Sequence, residues 1–173
     1  MDFLDLAKER YSLRSMDAGR AVEKEKLVKI AEAARVSPSA CNLQRHRLKI
    51  VTSKTGIEKI RKCTECHFNA PAVIVISLEK DTGSSPMDEE SGMRFGLMDI
   101  GIVAAHMSLQ AAELGVGTTI VGMFDREKLI KEFDIPDSQE PVLIMPAGYP
   151  ADGGGPCILH KSRIPIDKTA EWI

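Results

Sequence analysis

The sequence predicts an α+β fold, and three observations carry that expectation. Apolar residues recur at helical spacing over residues 23–35 and again along residues 93–114. Two continuous apolar runs, at residues 71–78 and 141–147, have the look of strands buried on both faces. Helices and strands mix without strict alternation, which is the pattern of the α+β class. The 173-residue length suits one domain or at most two small ones, and a single domain spanning 1–173 is the simpler reading.

Taken in order, Phe3, Leu4, Leu6 and Ala7 give a first short helix ending near Arg10. Leu27, Ile30, Ala31 and Ala34 line one face of the second, over 23–35. Ser37-Pro38 breaks it, because a proline restricts the residue before it to extended geometry. Leu48, Ile50 and Val51 mark a short strand, and 54–62 reads as another helix before the buried run at 71–78. Residues 81–91, with Gly83, Ser84, Ser85 and Pro86, read as a mobile surface loop. The long helix 93–114 is apolar nearly all round, which implies burial on most faces, and Gly115 and Gly117 end it. Residues 118–121 are β-branched and strand-like, Asp125 N-caps a helix through Phe133, and 141–147 is the last strand.

Composition narrows the function classes. Hydrophobic residues make up 43% and charged residues 28%, as in a soluble globular protein. With 23 Lys and Arg against 25 Asp and Glu, the chain offers no bulk attraction for nucleic acid or an anionic membrane. Any phosphate site must therefore be a local cluster. The most apolar segment, 97–112, is interrupted by Asp99, His106 and Gln110 and falls short of the ~20 residues a membrane span needs. The first ten residues alternate charge with apolar side chains and lack a signal-peptide core. Four cysteines in a domain large enough to do without staples point to a reducing compartment, the cytoplasm.

Three segments carry candidate chemistry. In an extended Arg10-Tyr11-Ser12-Leu13-Arg14, residues 10, 12 and 14 share a face, with the arginines roughly 13 Å apart. That spacing suits a long anionic ligand, one guanidinium forking onto a phosphate. Taken alone, the segment reads first as a solvated basic turn after a helix. Ser37-Pro38-Ser39-Ala40-Cys41-Asn42-Leu43-Gln44 presents small donors that suit a polar heterocycle, or is an ordinary capped loop. His160-Lys161-Ser162-Arg163 completes a phosphate site or is a solvated tail.

Together and in this order, the three segments resemble the nitroreductase family of FMN flavoproteins. The resemblance continues through Asp99-Ile100-Gly101, the stretch 113–118, Gly122-Met123-Phe124 and Ala147-Gly148-Tyr149-Pro150. It implies a nitroreductase-like fold: a central mixed or antiparallel sheet flanked by helices, in an intertwined homodimer with a long buried central helix and two flavins at the interface. It implies that Arg10 and Ser12 hold the FMN phosphate, with Tyr11 between them also cofactor-binding and Lys161 and Arg163 returning to the phosphate. Arg14 lies by the pyrimidine edge. Pro38, Ser39, Ala40 and Asn42, with Gln44 nearby, reach across to the partner's flavin. The backbone N–H groups of Gly122 and Met123 face the N5 and O4 region. The implied activity is ping-pong hydride transfer through flavin N5, from NADH or NADPH to nitroaromatics, quinones or similar small-molecule acceptors. Hydride moves directly to the flavin, so no side-chain nucleophile or base is required, and no Ser-His-Asp or Cys-His set stands out.

The chain departs from the family at Arg45-His46, where members often carry Pro-Trp. The stretch between Val51 and Met93 is short, so a more open pocket is expected. Cys63-x-x-Cys66, with His67, and Cys157-x-x-His160 offer zinc ligands in principle, but nothing in the sequence places the pairs together, and free thiols with no metal are the expectation. His106 reads as a core or interface residue. Two alternatives remain open: a family relative with another acceptor, such as an enone reductase or dehalogenase-like enzyme, and a non-catalytic flavin-storage or metal-binding module.

Overall fold

The computed structural model describes residues 2–80 and 88–173. Among the described residues run five α-helices: α1 (Phe3–Glu9), α2 (Lys24–Arg35), α3 (Lys54–Cys63), α4 (Glu89–Glu113) and α5 (Arg126–Phe133). Four strands, β1 (His46–Val51), β2 (Ala72–Glu79), β3 (Gly117–Thr118) and β4 (Gln139–Gly148), form one antiparallel sheet in the order β1-β2-β4-β3. The α+β expectation holds, and of its two sheet types the antiparallel one is adopted.

Strand β2 sets the layers. Side chains alternate across a strand, so an apolar run of this length must be covered twice. Ala72, Ile74, Ile76 and Leu78 pack with Leu27 and Ile30 of α2 and with Ile100, Val103 and Met107 of α4. Val73 and Val75 turn the other way, onto Ile57 and Ile60 of α3 and Leu129 of α5. Ile144 and Met145 of β4 divide between the same two clusters. The double burial read from the sequence is therefore correct, although the pairing is antiparallel; helices on both faces are what it requires.

Local signals set most boundaries. Ser53 accepts the Gly56 N–H at 3.1 Å and opens α3, and Asp125 accepts the Lys128 N–H at 3.0 Å and opens α5. Two boundaries differ from expectation. Residues 88–91, read as loop, begin α4: Asp88 accepts the Ser91 N–H at 2.9 Å, so polar residues here cap a helix instead of avoiding one. The rest of that expected loop, 81–87, lies outside the described residues. Residues 118–121 do not form one strand. Thr118 pairs with Ala147 and Val121 with Ile144, but between them stands Pro146, which accepts the Thr119 N–H at 3.2 Å and has no N–H to return.

Helix α4 also corrects the reading of its own burial. At 25 residues it is long and apolar enough to cross a membrane by length and composition, because it extends beyond the apolar run counted in the sequence. One side packs on the sheet and α2. The other leaves Leu97, Met98, Gly101, Ile102, Ala105 and His106 exposed, with Met98 at 55%. Burial on most faces is not achieved within one chain.

Gly115, at φ +71°, closes α4, and Gly117 then passes against Leu13. A Cβ on Gly117 would sit 2.3 Å from Leu13 Cδ2, and Leu13 is wholly buried. Gly117→Ala is expected to lower stability by about 1–3 kcal/mol through overpacking, read as a lower midpoint in urea unfolding.

Candidate functional site

The opening segment leaves α1 as extended chain at Arg10 and joins the edge of the sheet. Ser12 bridges Thr118 in parallel, the Leu13 N–H reaches Thr118 O at 3.1 Å, and Thr119 Oγ1 donates to Leu13 O at 2.5 Å. Leu13 is buried while Ser12 is partly exposed and Arg14 exposed, the alternation an extended chain gives. Arg10 and Tyr11 line a cavity of about 240 Å³ with Ser108 and Ala112 of α4, Gly115, Gly117 and Pro150.

The tail comes back to this segment. Ala151 N–H bonds Ser15 O at 3.2 Å, and Gly154 runs so close to Ser15 O that a Cβ would lie 2.8 Å from it. The His160 ring then meets the Tyr11 ring edge-on at 6.0 Å. Arg163 donates to the His160 and Ser162 carbonyls of its own turn. Among the described residues, Arg10, Arg14, Lys161 and Arg163 pair with no carboxylate. The opening and closing segments named from the sequence are thus brought to one place.

The loop at 37–44 is not. Ser37 Oγ donates to Ala33 O at 2.8 Å as α2 ends, and the backbone takes left-handed φ at Cys41, Asn42 and Gln44. Ser39 Oγ accepts the Gln44 N–H at 3.0 Å, and Gln44 Nε2 donates to Asn42 O at 3.1 Å, while Pro38 stays exposed. The loop is fastened to mid-α4, where Asp99 accepts the Ala40 N–H at 3.0 and 3.2 Å. From Asp99 to Ser108 and Ala112 of the Arg10 cavity, α4 rises about 14 and about 20 Å. Within one chain, Pro38, Ser39, Ala40, Asn42 and Gln44 therefore stand apart from Arg10–Arg14.

Asp99 was legible only as part of a motif. It is 7% exposed in the largely apolar middle of the helix, and an acid buried there needs hydrogen-bond donors. That single carboxylate between Glu90 and Glu113 was the available signal. Near the loop, His46 is held below its usual pKa by burial first and then by Arg47, with Asp99 opposing. Arg45 is buried, with Nη2 donating to Gly92 O.

The third component is the turn after Val121. Val121 exchanges two 2.9 Å hydrogen bonds with Ile144, and the chain then runs outward through Gly122 to Met123, which is 76% exposed. Thr64 Oγ1 donates to Met123 O at 2.5 Å, and Asp125 N–H reaches Cys63 O at 2.8 Å. The N–H groups of Gly122, Met123 and Phe124 find no acceptor among the described residues. At ~3.3 Å per residue, the four steps from Thr118, beside Ser12, to Gly122 span about 13 Å.

The cysteines do not gather. Cys63 is buried, donates to Lys59 O at 3.2 Å and has its thiol pushed up by burial; Cys66 is half-buried beside it, and Cys41 and Cys157 are exposed. Among the described residues, no three His, Cys, Asp or Glu side chains converge as a metal site.

This architecture has close parallels. The model of the nitroreductase family matches residues 7–68 and 65–149. A protein of Methanothermobacter thermautotrophicus, assigned as an NADH dehydrogenase/NAD(P)H nitroreductase, is 31% identical over 97% of this chain and 88% of its own length. A nitroreductase family protein from Clostridium difficile superposes with a TM-score of 0.85 at 35% identity, covering 99% of this chain and 98% of that one. A protein of Exiguobacterium sibiricum assigned as a nitroreductase, solved in complex with FMN, shares the fold at 22% identity and a TM-score of 0.85, over 100% of this chain and 98% of that one. The chain belongs to the nitroreductase family.

Proposed function

We propose that this chain is an FMN-dependent oxidoreductase that oxidises NADH or NADPH and reduces nitroaromatics, quinones or similar small acceptors, acting as a homodimer in the cytoplasm. The observation that carries the reading is the return of the tail to the opening segment, where Tyr11 meets His160, in two segments whose Arg10, Lys161 and Arg163 have no carboxylate partner among the described residues. Cations flanking Ser12 in the opening and closing segments, and amide N–H groups at Gly122 about 13 Å along the chain from Thr118 beside Ser12, make a donor set for a ligand with an anionic tail and an electron-rich planar head. FMN is such a ligand, and it is bound by the Exiguobacterium relative.

When bound, FMN supplies a two-electron carrier between the nicotinamide and the acceptor. The chain's own residues hold and tune it. Arg10, Ser12, Lys161 and Arg163 take the phosphate, with Tyr11 keeping the tail against the opening segment. Arg14, at the pyrimidine edge by resemblance, offers a fixed positive charge to a ring that gains negative charge on reduction. Gly122 and Met123 direct N–H groups at the ring.

A second copy completes the site in this reading. The exposed stripe on α4, with Leu97, Met98, Ile102 and Ala105, is the apolar surface such a copy would cover. The partner's loop then supplies Pro38, Ser39, Ala40, Asn42 and Gln44, which in their own chain are fastened to α4 about 14 Å or more from the Arg10 cavity.

The purified protein is expected to be yellow, to bleach anaerobically with NADH or NADPH, and to recolour when a nitroaromatic or quinone is added. Colour that never bleaches would favour storage, and a colourless protein with bound zinc would favour the metal module. Arg10→Ala and Arg163→Ala are each expected to weaken FMN binding about ten- to a hundredfold, the loss of one charge-assisted contact of roughly 1.5–3 kcal/mol. Arg14→Ala should instead lower the flavin's midpoint potential more than its affinity, measured by potentiometric titration. Ile102→Glu, placing a charge on the exposed stripe, should shift the protein to monomer in sedimentation velocity and cut FMN affinity by about tenfold or more.

A further inference from the structure

The free amides at 122–124 are held from behind by one buried hydroxyl. Thr64 follows the last turn of α3 and is 9% exposed. Its Oγ1 donates to Met123 O at 2.5 Å and accepts the Cys66 N–H at 3.0 Å, so the hydroxyl's own direction is set from both sides. One peptide unit on, the Asp125 N–H is tied to Cys63 O at 2.8 Å. The end of α3 thus grips the turn at two successive peptides.

The geometry of a trans peptide turns that grip into an orientation. C=O and N–H of one peptide unit point in opposite directions. With Met123 O drawn inward to Thr64, the N–H of the same unit, on Phe124, is directed away from α3. The Gly122 and Met123 N–H groups precede it, and none of the three has an acceptor among the described residues. Donors fixed before a ligand arrives need no reorganisation when charge develops on it, whereas an untethered turn would have to be ordered at that moment.

We infer that Thr64 is the positioning residue for the Phe124 N–H, the last donor of the face that the turn at Gly122 and Met123 presents to the flavin ring. The inference rests on the FMN reading above and adds a residue outside the ligand-binding segments. Thr64 touches neither flavin nor substrate in this account; it acts through the Met123 carbonyl. It lies 59 residues from Met123 in sequence, in a segment that carries none of the family motifs.

The test compares Thr64→Val, which keeps the side-chain shape and removes the hydroxyl, with Thr64→Ser, which restores it. In ¹⁵N relaxation without added FMN, the Phe124 amide should be rigid in the wild-type chain, with an order parameter of about 0.85, and fall below about 0.6 in Thr64→Val. With FMN bound, Thr64→Val should keep its dissociation constant within about twofold, since the phosphate contacts remain. Its midpoint potential should fall, because donors aimed at the ring favour its electron-rich reduced state. Thr64→Ser should return both readouts to wild type, which a general loss of packing would not allow. Should Thr64→Val fail to fold, Thr64→Cys serves in its place, with a weaker donor of similar size. Wild-type order parameters and potential in the hydroxyl-free variant would overturn the Thr64 assignment alone. Failure of the wild-type chain to take up FMN would overturn the flavin reading and this assignment with it.

Discussion

Leu13 is the residue through which the candidate site is joined to the core. Its side chain is wholly buried, against a Gly117 that has no Cβ to hold it off. Its N–H and C=O are both engaged, by Thr118 O and by the Thr119 hydroxyl. The residues on either side are the ones proposed to meet phosphate and ring. Fixing Leu13 therefore fixes Ser12 and Arg14, and the chain that follows reaches Met16, whose N–H bonds Phe68 O at 3.1 Å. A cationic segment that would otherwise be a solvated turn becomes a rigid edge to the sheet.

What the sequence disclosed follows from how far each signal reaches. Helix caps are local, so Asp125 marked the start of α5 within one residue. The same chemistry at Asp88 was obscured by polar neighbours that also suit a loop. Double burial of β2 was legible because an unbroken apolar run admits few other outcomes. The interruption at Thr119 was not, since it arises from a proline on a different strand. At the site, Arg10–Arg14 and His160–Arg163 were visible as charge-bearing motifs, but only the fold brings Tyr11 to His160. The hydrogen bonds that hold the two remaining parts, Ala40 to Asp99 and Thr64 to Met123, each join residues 59 apart, beyond any periodicity.

The burial of α4 marks another limit of sequence patterning. An apolar surface specifies that something must cover it and does not say whether the cover belongs to the same chain. Here the sheet and α2 take one side, and the stripe from Leu97 to Ala105 is left over.

Asp99 and Ser108 lie on one unbroken helix, the first clamping the loop and the second lining the cavity beside Arg10. An α-helix advances by 1.5 Å and turns by about 100° with every residue. One residue gained or lost between those two positions would swing one fixture roughly a quarter-turn out of phase with the other. The span from 99 to 108 is accordingly a ruler whose length is fixed even where its individual side chains are free to vary.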